Sequence, residues 1–173
     1  MKTIFQALAT YNSSVNQSIT QLLEPLGREK VMMETKAYFP SIFETMIHIF
    51  ISDLNWFRRY KDVFKDSNTL GSSRLTSLEE KSLRKELESD YKKLFQYRKE
   101  ADEVILQFTH EMDDKNLASV IRYKSYKGED VEKELWKTIL HWFNHHAHHR
   151  GQISVLLDML GVENDFSSLM TRI

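Results

Sequence analysis

The C-terminal part of the chain concentrates side chains that bind metal ions. Five of the seven histidines lie between positions 141 and 149. On a helix with about 100° per residue, His141, His145 and His149 share one narrow stripe, with His148 beside it and His146 further round among apolar neighbours. Two imidazoles spaced i and i+4 on one helical face can bind the same ion. A divalent metal site is therefore one interpretation of this cluster.

A metal site of this kind needs another ligand from a different part of the chain. The remaining histidines are His48 and His110. His48 lies in the apolar stretch TMIHIFISDLNW, where an imidazole without a partner would bury polar atoms at a cost in stability. Three neutral imidazoles with one open coordination position are typical of reactive metal sites. His48 is thus the favoured third ligand, and His110, near a predicted helix end, is expected in solvent.

The same histidines also have an interpretation without metal. A histidine in a core commonly hydrogen-bonds a neighbour, and a histidine-rich helix can simply be polar surface. The spacing leaves both interpretations open. The HExxH motif of zinc proteases is absent, because Trp142 follows His141 and His146 follows His145. A zinc protease of that type is therefore excluded.

Composition narrows the class of protein further. There is no cysteine, so disulfides, thiolate zinc sites and cysteine nucleophiles are excluded, and nitrogen or oxygen must bind any metal. A net charge of −1 argues against a nucleic-acid partner. No apolar run of about eighteen residues occurs, so no membrane span is expected, and the N-terminus lacks a signal-peptide pattern. These features predict a cytoplasmic protein.

Hydrophobic periodicity predicts the helices that position the histidines. Only 5 glycines and 2 prolines interrupt the 173 residues, which favours long helices. Apolar residues at steps of three and four predict a first helix over residues 4–26 and a second that begins near Pro40 and carries His48. A third helix is expected from Ser77, as N-cap, to about residue 110.

The last part of the chain combines a hairpin signal with a long helix. Val120, Arg122 and Lys124 alternate ahead of a Lys-Gly turn, which predicts a small hairpin. The fourth helix is expected over residues 131–160 and should end at Gly161. Four amphipathic helices with this hairpin predict an all-α four-helix bundle, formed as a single domain over residues 1–173.

Several stretches of the chain resemble known sequence signatures. The stretch NHHAHHRGQISVLLDMLGV, with its pattern N-H-x-x-x-H-R-G-Q followed by an apolar helix, resembles the C-terminal signature of the DinB-like family of metal-binding four-helix-bundle proteins. SIFETMIHIFISDLNWFRRY is similar to its second-helix signature, a histidine five residues ahead of an acidic residue and eight ahead of Trp. RYKSYKGEDVEKELWKTILHWFNH and VENDFSSLM resemble its approach to the last helix and its tail. The resemblance spans nearly the whole chain and implies an up-down-down-up bundle.

The resemblance also selects among the histidines. Members of the family typically bind a divalent ion, zinc or nickel in many cases, on three histidines. By position these are His48, His145 and His149. The other histidines of the cluster are then supporting partners or partly exposed polar residues, since ligating imidazoles need hydrogen bonds of their own. These residues are His141, His146 and His148.

Two kinds of chemistry follow from the resemblance. A bound divalent ion can activate a low-molecular-weight thiol such as bacillithiol or mycothiol for attack on an electrophile, or it can activate water for hydrolysis. A non-catalytic metal-binding or stress-response protein is the alternative, because a fold does not assign a function. The expected partners are a small-molecule substrate and a second copy of the chain in a homodimer.

Other polar residues are candidates for supporting roles. Asp53 is a candidate base or ligand-orienting carboxylate, with a solvated or capping carboxylate as the alternative. Gln152 is expected to hydrogen-bond locally on the last helix. Arg58, Arg59 and Arg122 are candidates for binding the anionic part of a thiol substrate.

Overall fold

Four long helices form most of the molecule, and a two-stranded hairpin precedes the last of them. The computed structural model describes residues 1–173. In chain order the helices are α1 (Lys2–Leu23), α2 (Gly27–Val31), α3 (Ile42–Val63), α4 (Asn68–Ser72), α5 (Glu80–Ser89), α6 (Lys93–Glu111), α7 (Asp114–Ala118) and α8 (Leu135–Met159). The strands are β1 (Val120–Lys124) and β2 (Asp130–Glu134). No helix is both long and apolar enough to cross a membrane.

Side-chain pairs between the long helices fix their relative directions. Helices α1 and α6 are antiparallel, α3 and α8 are antiparallel, and α3 and α6 are parallel. The contacts that show this are Gln6–His110 and Asn16–Asp102 between α1 and α6, His48–His145 and Tyr60–Thr138 between α3 and α8, and Phe50–Tyr97 and Tyr60–Phe108 between α3 and α6. The chain therefore forms an up-down-down-up bundle, and the predicted all-α fold is confirmed.

Large apolar side chains fill the space between the helices. Tyr60 and Trp142 are fully buried at its centre, where their ring centroids lie 5.6 Å apart. Phe108 stacks on Tyr60 with ring centroids 5.3 Å apart. Each fully buried aromatic of this kind contributes roughly 2–3 kcal/mol through removal of apolar surface from water. This core holds α3 and α8 side by side, which is what positions the histidines.

The second helix begins near Pro40, as predicted, whereas the third helix differs from the prediction. Pro40 lies just before the N-cap of α3, which is Ser41, whose Oγ accepts the N–H of Glu44 at 3.1 Å. Ser77 ends a 3₁₀ turn instead of capping the third helix, which is divided into α5 and α6. Asp90 lies at the division, and its carboxylate accepts the N–H of Lys92 at 3.1 Å, a local bond that competes with the helical one.

The predicted hairpin is confirmed, and it shortens the last helix. β1 and β2 are antiparallel, with Val120 opposite Glu134 and Lys124 opposite Asp130. Residues 131–134 therefore pair with β1, and α8 begins at Leu135 instead of residue 131. At the other end of α8, Gly161 has a φ of 72°, the left-handed conformation expected of a residue that follows a helix.

Candidate metal centre

The structure brings together the three histidines that the resemblance selects. The Nε2 atom of His145 on α8 lies 3.0 Å from Nε2 of His48 on α3 and 3.0 Å from Nε2 of His149 on α8. One ring nitrogen from each residue falls within 4.8 Å of those of the other two. Because α3 and α8 are antiparallel and packed through the core, residues 97 positions apart in the chain converge at one point.

The hydrogen-bonding of these rings fits a bound cation. Nδ1 of His149 lies 2.7 Å from Oε1 of Gln152, and an amide oxygen can only accept, so Nδ1 carries the proton and Nε2 of the neutral ring is a bare lone pair. Nε2 of His145 faces two nitrogens and can donate to only one of them. In a tetrahedral site with zinc–nitrogen bonds of about 2.0–2.1 Å, the nitrogens lie roughly 3.3 Å apart. The two distances of 3.0 Å from Nε2 of His145 are close to this value, so one divalent ion could bind a ring nitrogen of each histidine.

Burial keeps these rings uncharged. Burial lowers the pKa of His48 to about 4, with a further contribution from the neighbouring His149. Burial likewise lowers the pKa of His145 to about 3, assisted by the other histidines around it. The pKa of His149 is also lowered by burial. At neutral pH the imidazoles therefore present lone pairs, and a metal ion need not displace protons from them.

An aromatic side chain from the segment between α2 and α3 covers part of the site. The ring of Phe39 stacks on His48 with centroids 4.3 Å apart and meets His149 at 5.5 Å. A hydrogen bond of 2.6 Å from the N–H of Thr35 to the carbonyl of Pro40 closes this segment into a loop. No periodicity marks Phe39 in the sequence, because it belongs to no helix. Its contacts restrict the approach to two of the three candidate ligands.

Gln152 is predicted to control the metal affinity through His149. Replacing Gln152 with leucine removes the acceptor that fixes the His149 tautomer, so we expect metal affinity to fall by about 10–100-fold. Competition with a chromophoric chelator would measure this change. Gln152→Glu is the matched control, because it retains an acceptor oxygen and should bind metal at least as tightly as the wild type. Unchanged affinity in Gln152→Leu would exclude the positioning role.

Asp53 is buried and engaged in a polar network instead of lying in solvent. It is 0% exposed, and Oδ1 lies 2.6 Å from both Nε1 of Trp142 and Nε2 of His146. Its Oδ2 pairs with Arg98. Burial raises the pKa of Asp53, but His146 and Arg98 together lower it more, so the pKa lies below its ordinary range. Both oxygens therefore bond groups outside the histidine triad.

The network continues through all four long helices. Arg98 also donates to Asp102 at 3.0 Å, and Asp102 accepts from Asn12 at 2.9 Å and Asn16 at 2.8 Å. Arg150 donates to Asn12 from α8. These side chains are almost fully buried, so each one depends on the others for its hydrogen bonds. No sequence pattern reveals this network, since its members lie on different helices without a shared spacing.

The remaining histidines have separate environments. His146 is 1% exposed, and since burial lowers its pKa, the neutral ring donates its Nε2–H to Asp53. His141 and His148 are exposed, with ring centroids 6.4 Å from His145 and 4.9 Å from His149 respectively. His110 is exposed at the far end of α6. His146 is thus a buried hydrogen-bonding partner of Asp53, which agrees with the supporting role that the resemblance implies for it.

The three candidate arginines differ in their availability. Arg58 donates to the backbone carbonyls of Thr76 and Leu78, which anchors the segment between α4 and α5. Arg122 pairs with Glu132 across the hairpin at 2.8 Å. Arg59 has no carboxylate partner and packs against the rings of Trp56 and Tyr123. It makes one hydrogen bond of 3.3 Å to a backbone carbonyl, whereas Arg58 bonds three oxygens and Arg122 pairs with a carboxylate.

Comparison with known sequences agrees with the fold and the site. A sequence model of the DinB family matches residues 1–167, which include all three converging histidines. The chain belongs to the DinB family. Protein DinB of Bacillus subtilis (strain 168) is 27% identical over 155 residues, which are 89% of this chain and 84% of that protein. No significant match to a solved structure was found. Membership of the DinB family and the three-histidine group are together compatible with metal binding.

Proposed function

We propose that the protein binds one divalent ion, zinc or nickel, through His48, His145 and His149 and acts as a metal-dependent enzyme. The convergence of three neutral ring nitrogens, one of them fixed as a lone pair by Gln152, is the observation that supports this proposal. Three protein ligands leave a coordination position for a substrate.

The proposed substrate is a low-molecular-weight thiol, which is transferred to an electrophile. A divalent ion at such a site lowers the pKa of a thiol and so supplies a thiolate at neutral pH. The thiol proton leaves to solvent, the sulfur bonds to the electrophilic carbon, and the leaving group departs with its electron pair. The chain needs no carboxylate base for this reaction. Hydrolysis is less favoured, since Asp53 already bonds Arg98 and His146 and is not directed at the triad.

The proposal predicts metal-dependent conjugation of a thiol. Purified protein, loaded with zinc or nickel, should accelerate the reaction of bacillithiol, mycothiol or coenzyme A with monochlorobimane, in which sulfur replaces chloride. Fluorescence and mass spectrometry would follow the product. Protein stripped by a chelator, and the His48→Ala variant, should lose the acceleration.

Two other outcomes would overturn this proposal. If the loaded protein hydrolyses activated esters but conjugates no thiol, water is the nucleophile. If removal of the ion lowers only the thermal stability, and neither thiol nor ester is turned over, the protein is a non-catalytic metal-binding protein of the stress-response type.

A further inference from the structure

The guanidinium of Arg59 packs against two aromatic rings without a counter-ion. Its Cζ lies 4.7 Å from the ring centroid of Trp56 and 4.5 Å from that of Tyr123, and since these centroids are 5.5 Å apart, both rings contact the cation from one side. Nη2 donates to the backbone carbonyl of Lys124 at 3.3 Å. No carboxylate lies within salt-bridge distance of Arg59, although Lys124 beside it pairs with Asp130 at 2.7 Å. The remaining N–H groups of Arg59 are free to bind an anion.

Arg59 lies on the same face of α3 as His48. The two residues are eleven positions apart, which is about three helical turns and roughly 16 Å along the axis. Side chains on a helix lean towards its N-terminus, so Arg59 reaches back towards His48. One strip of α3 therefore has a candidate metal ligand at one end and a free cation at the other.

Aromatic side chains connect the two ends of this strip. The ring of Trp56 lies 6.1 Å from that of His141, which in turn lies 6.4 Å from that of His145. Trp56 also contacts Tyr123 at 5.5 Å, so the hairpin borders the strip. Trp56 is only 4% exposed and lies beneath the strip, so a molecule along it would meet the exposed ring of His141 between the triad and Arg59.

We propose that Arg59 binds a carboxylate at one end of an extended substrate whose other end reaches the metal centre. A guanidinium fork matches a carboxylate in shape and charge, and the contacts of Arg59 with Trp56 and Tyr123 reduce the entropy lost on binding. Because of the rise of α3 and the reach of the side chains, the substrate would need roughly 10–15 Å between its reacting atom and its carboxylate. This inference rests on the proposed metal-dependent function and adds the position of an anion subsite to it.

The test measures binding to cobalt(II)-loaded protein by the visible absorption of the ion. Two series of probes are compared at increasing chain length: ω-mercaptoalkanoates against ω-mercaptoalkanols, and α,ω-dicarboxylates against monocarboxylates. Long mercaptoalkanoates should bind about 10-fold more tightly than the matching alkanols, in line with a charge-assisted bond of about 1.5 kcal/mol. Mercaptoacetate, whose carboxylate is too close to the sulfur, should show no such advantage.

Two variants test whether Arg59 causes the tighter binding of the carboxylate probes. Arg59→Gln keeps a polar side chain beside the rings but removes the positive charge, so it should abolish the carboxylate advantage while leaving alkanol binding unchanged. Arg122→Ala, on the exposed hairpin nearby, is the matched control and should retain it. Circular dichroism and cobalt content of each variant would verify that the fold and the metal site are intact.

The two proposals fail in different ways. If no thiol changes the cobalt spectrum, the proposed thiol chemistry is wrong, and the dicarboxylates still test Arg59. If long carboxylates of both series bind wild type and Arg59→Gln equally, the anion subsite is wrong whatever the fate of the thiol proposal. An equal loss in Arg122→Ala would assign the effect to the charge of the hairpin, and this also overturns the role of Arg59.

Discussion

Replacing His145 with alanine is expected to reduce bound metal from about one ion per chain to a trace. The affinity should fall by more than 100-fold, because the loss of a direct ligand weakens metal binding more than the loss of a supporting residue does. His145 contacts the ring nitrogens of both His48 and His149, so its removal takes away the central donor and leaves only two. His48→Ala and His149→Ala should have the same effect. Elemental analysis of the purified variants would measure it.

Neighbouring histidines provide the controls for this prediction. His148 is exposed and His141 lies one turn from the triad, so alanine at either position should leave metal content unchanged. His146→Gln should also retain the ion, because glutamine can still donate to Asp53. Equal loss of metal in all of these variants would mean that the whole histidine-rich helix binds ions without a defined triad.

Replacing Asp53 with leucine is expected to lower the free energy of unfolding by about 3–5 kcal/mol, because it leaves a buried cation without its partner. Arg98 is 4% exposed and would retain only Asp102, while Trp142 and His146 would each lose an acceptor. A change of this size is a large part of the roughly 5–15 kcal/mol that stabilises a typical domain. Urea unfolding of the metal-free protein would measure it without a contribution from the ion.

Two comparisons distinguish the loss of the buried Asp53–Arg98 pair from a general effect of removing a negative charge. Asp62 forms an exposed ion pair with Lys65, and Asp62→Ala should cost less than about 1 kcal/mol. The pKa of Asp53 is depressed, so its stabilising effect is complete above about pH 4 and is lost only as the pH falls through the lower folded-state pKa. The stability difference between wild type and Asp53→Leu should therefore persist at pH 5. A deficit below 1 kcal/mol there would contradict the assignment.

The sequence predicts most of the fold because helices and turns depend on nearby residues. The hairpin follows from the alternation of Val120, Arg122 and Lys124, and the end of α8 follows from Gly161. The division between α5 and α6 was missed, since the bond from Lys92 to the Asp90 carboxylate interrupts a helix without proline or glycine. Local rules give no measure of how strongly such a turn competes with the helix.

The candidate site, like the fold, is predicted from the sequence only in part. Spacing on α8 reduces five histidines to one stripe, the apolar surroundings of His48 favour it as the ligand from another helix, and the resemblance excludes His141. The bonding of Asp53 depends on which side chains of α6 and α8 face it, and helical periodicity does not specify the pairing of helices. Arg58 and Arg59 are adjacent in sequence, yet only the structure shows that Arg58 anchors a loop and Arg59 remains free.

The separation of the candidate ligands along the chain also affects how the protein unfolds. An ion held by both His48 and His145 would close a loop of 97 residues, much as a disulfide does. Closing a chain of this length removes several kcal/mol of conformational entropy from the unfolded state. The ion would thus act as a reversible cross-link between the two halves of the molecule, and resistance to proteolysis would report metal occupancy.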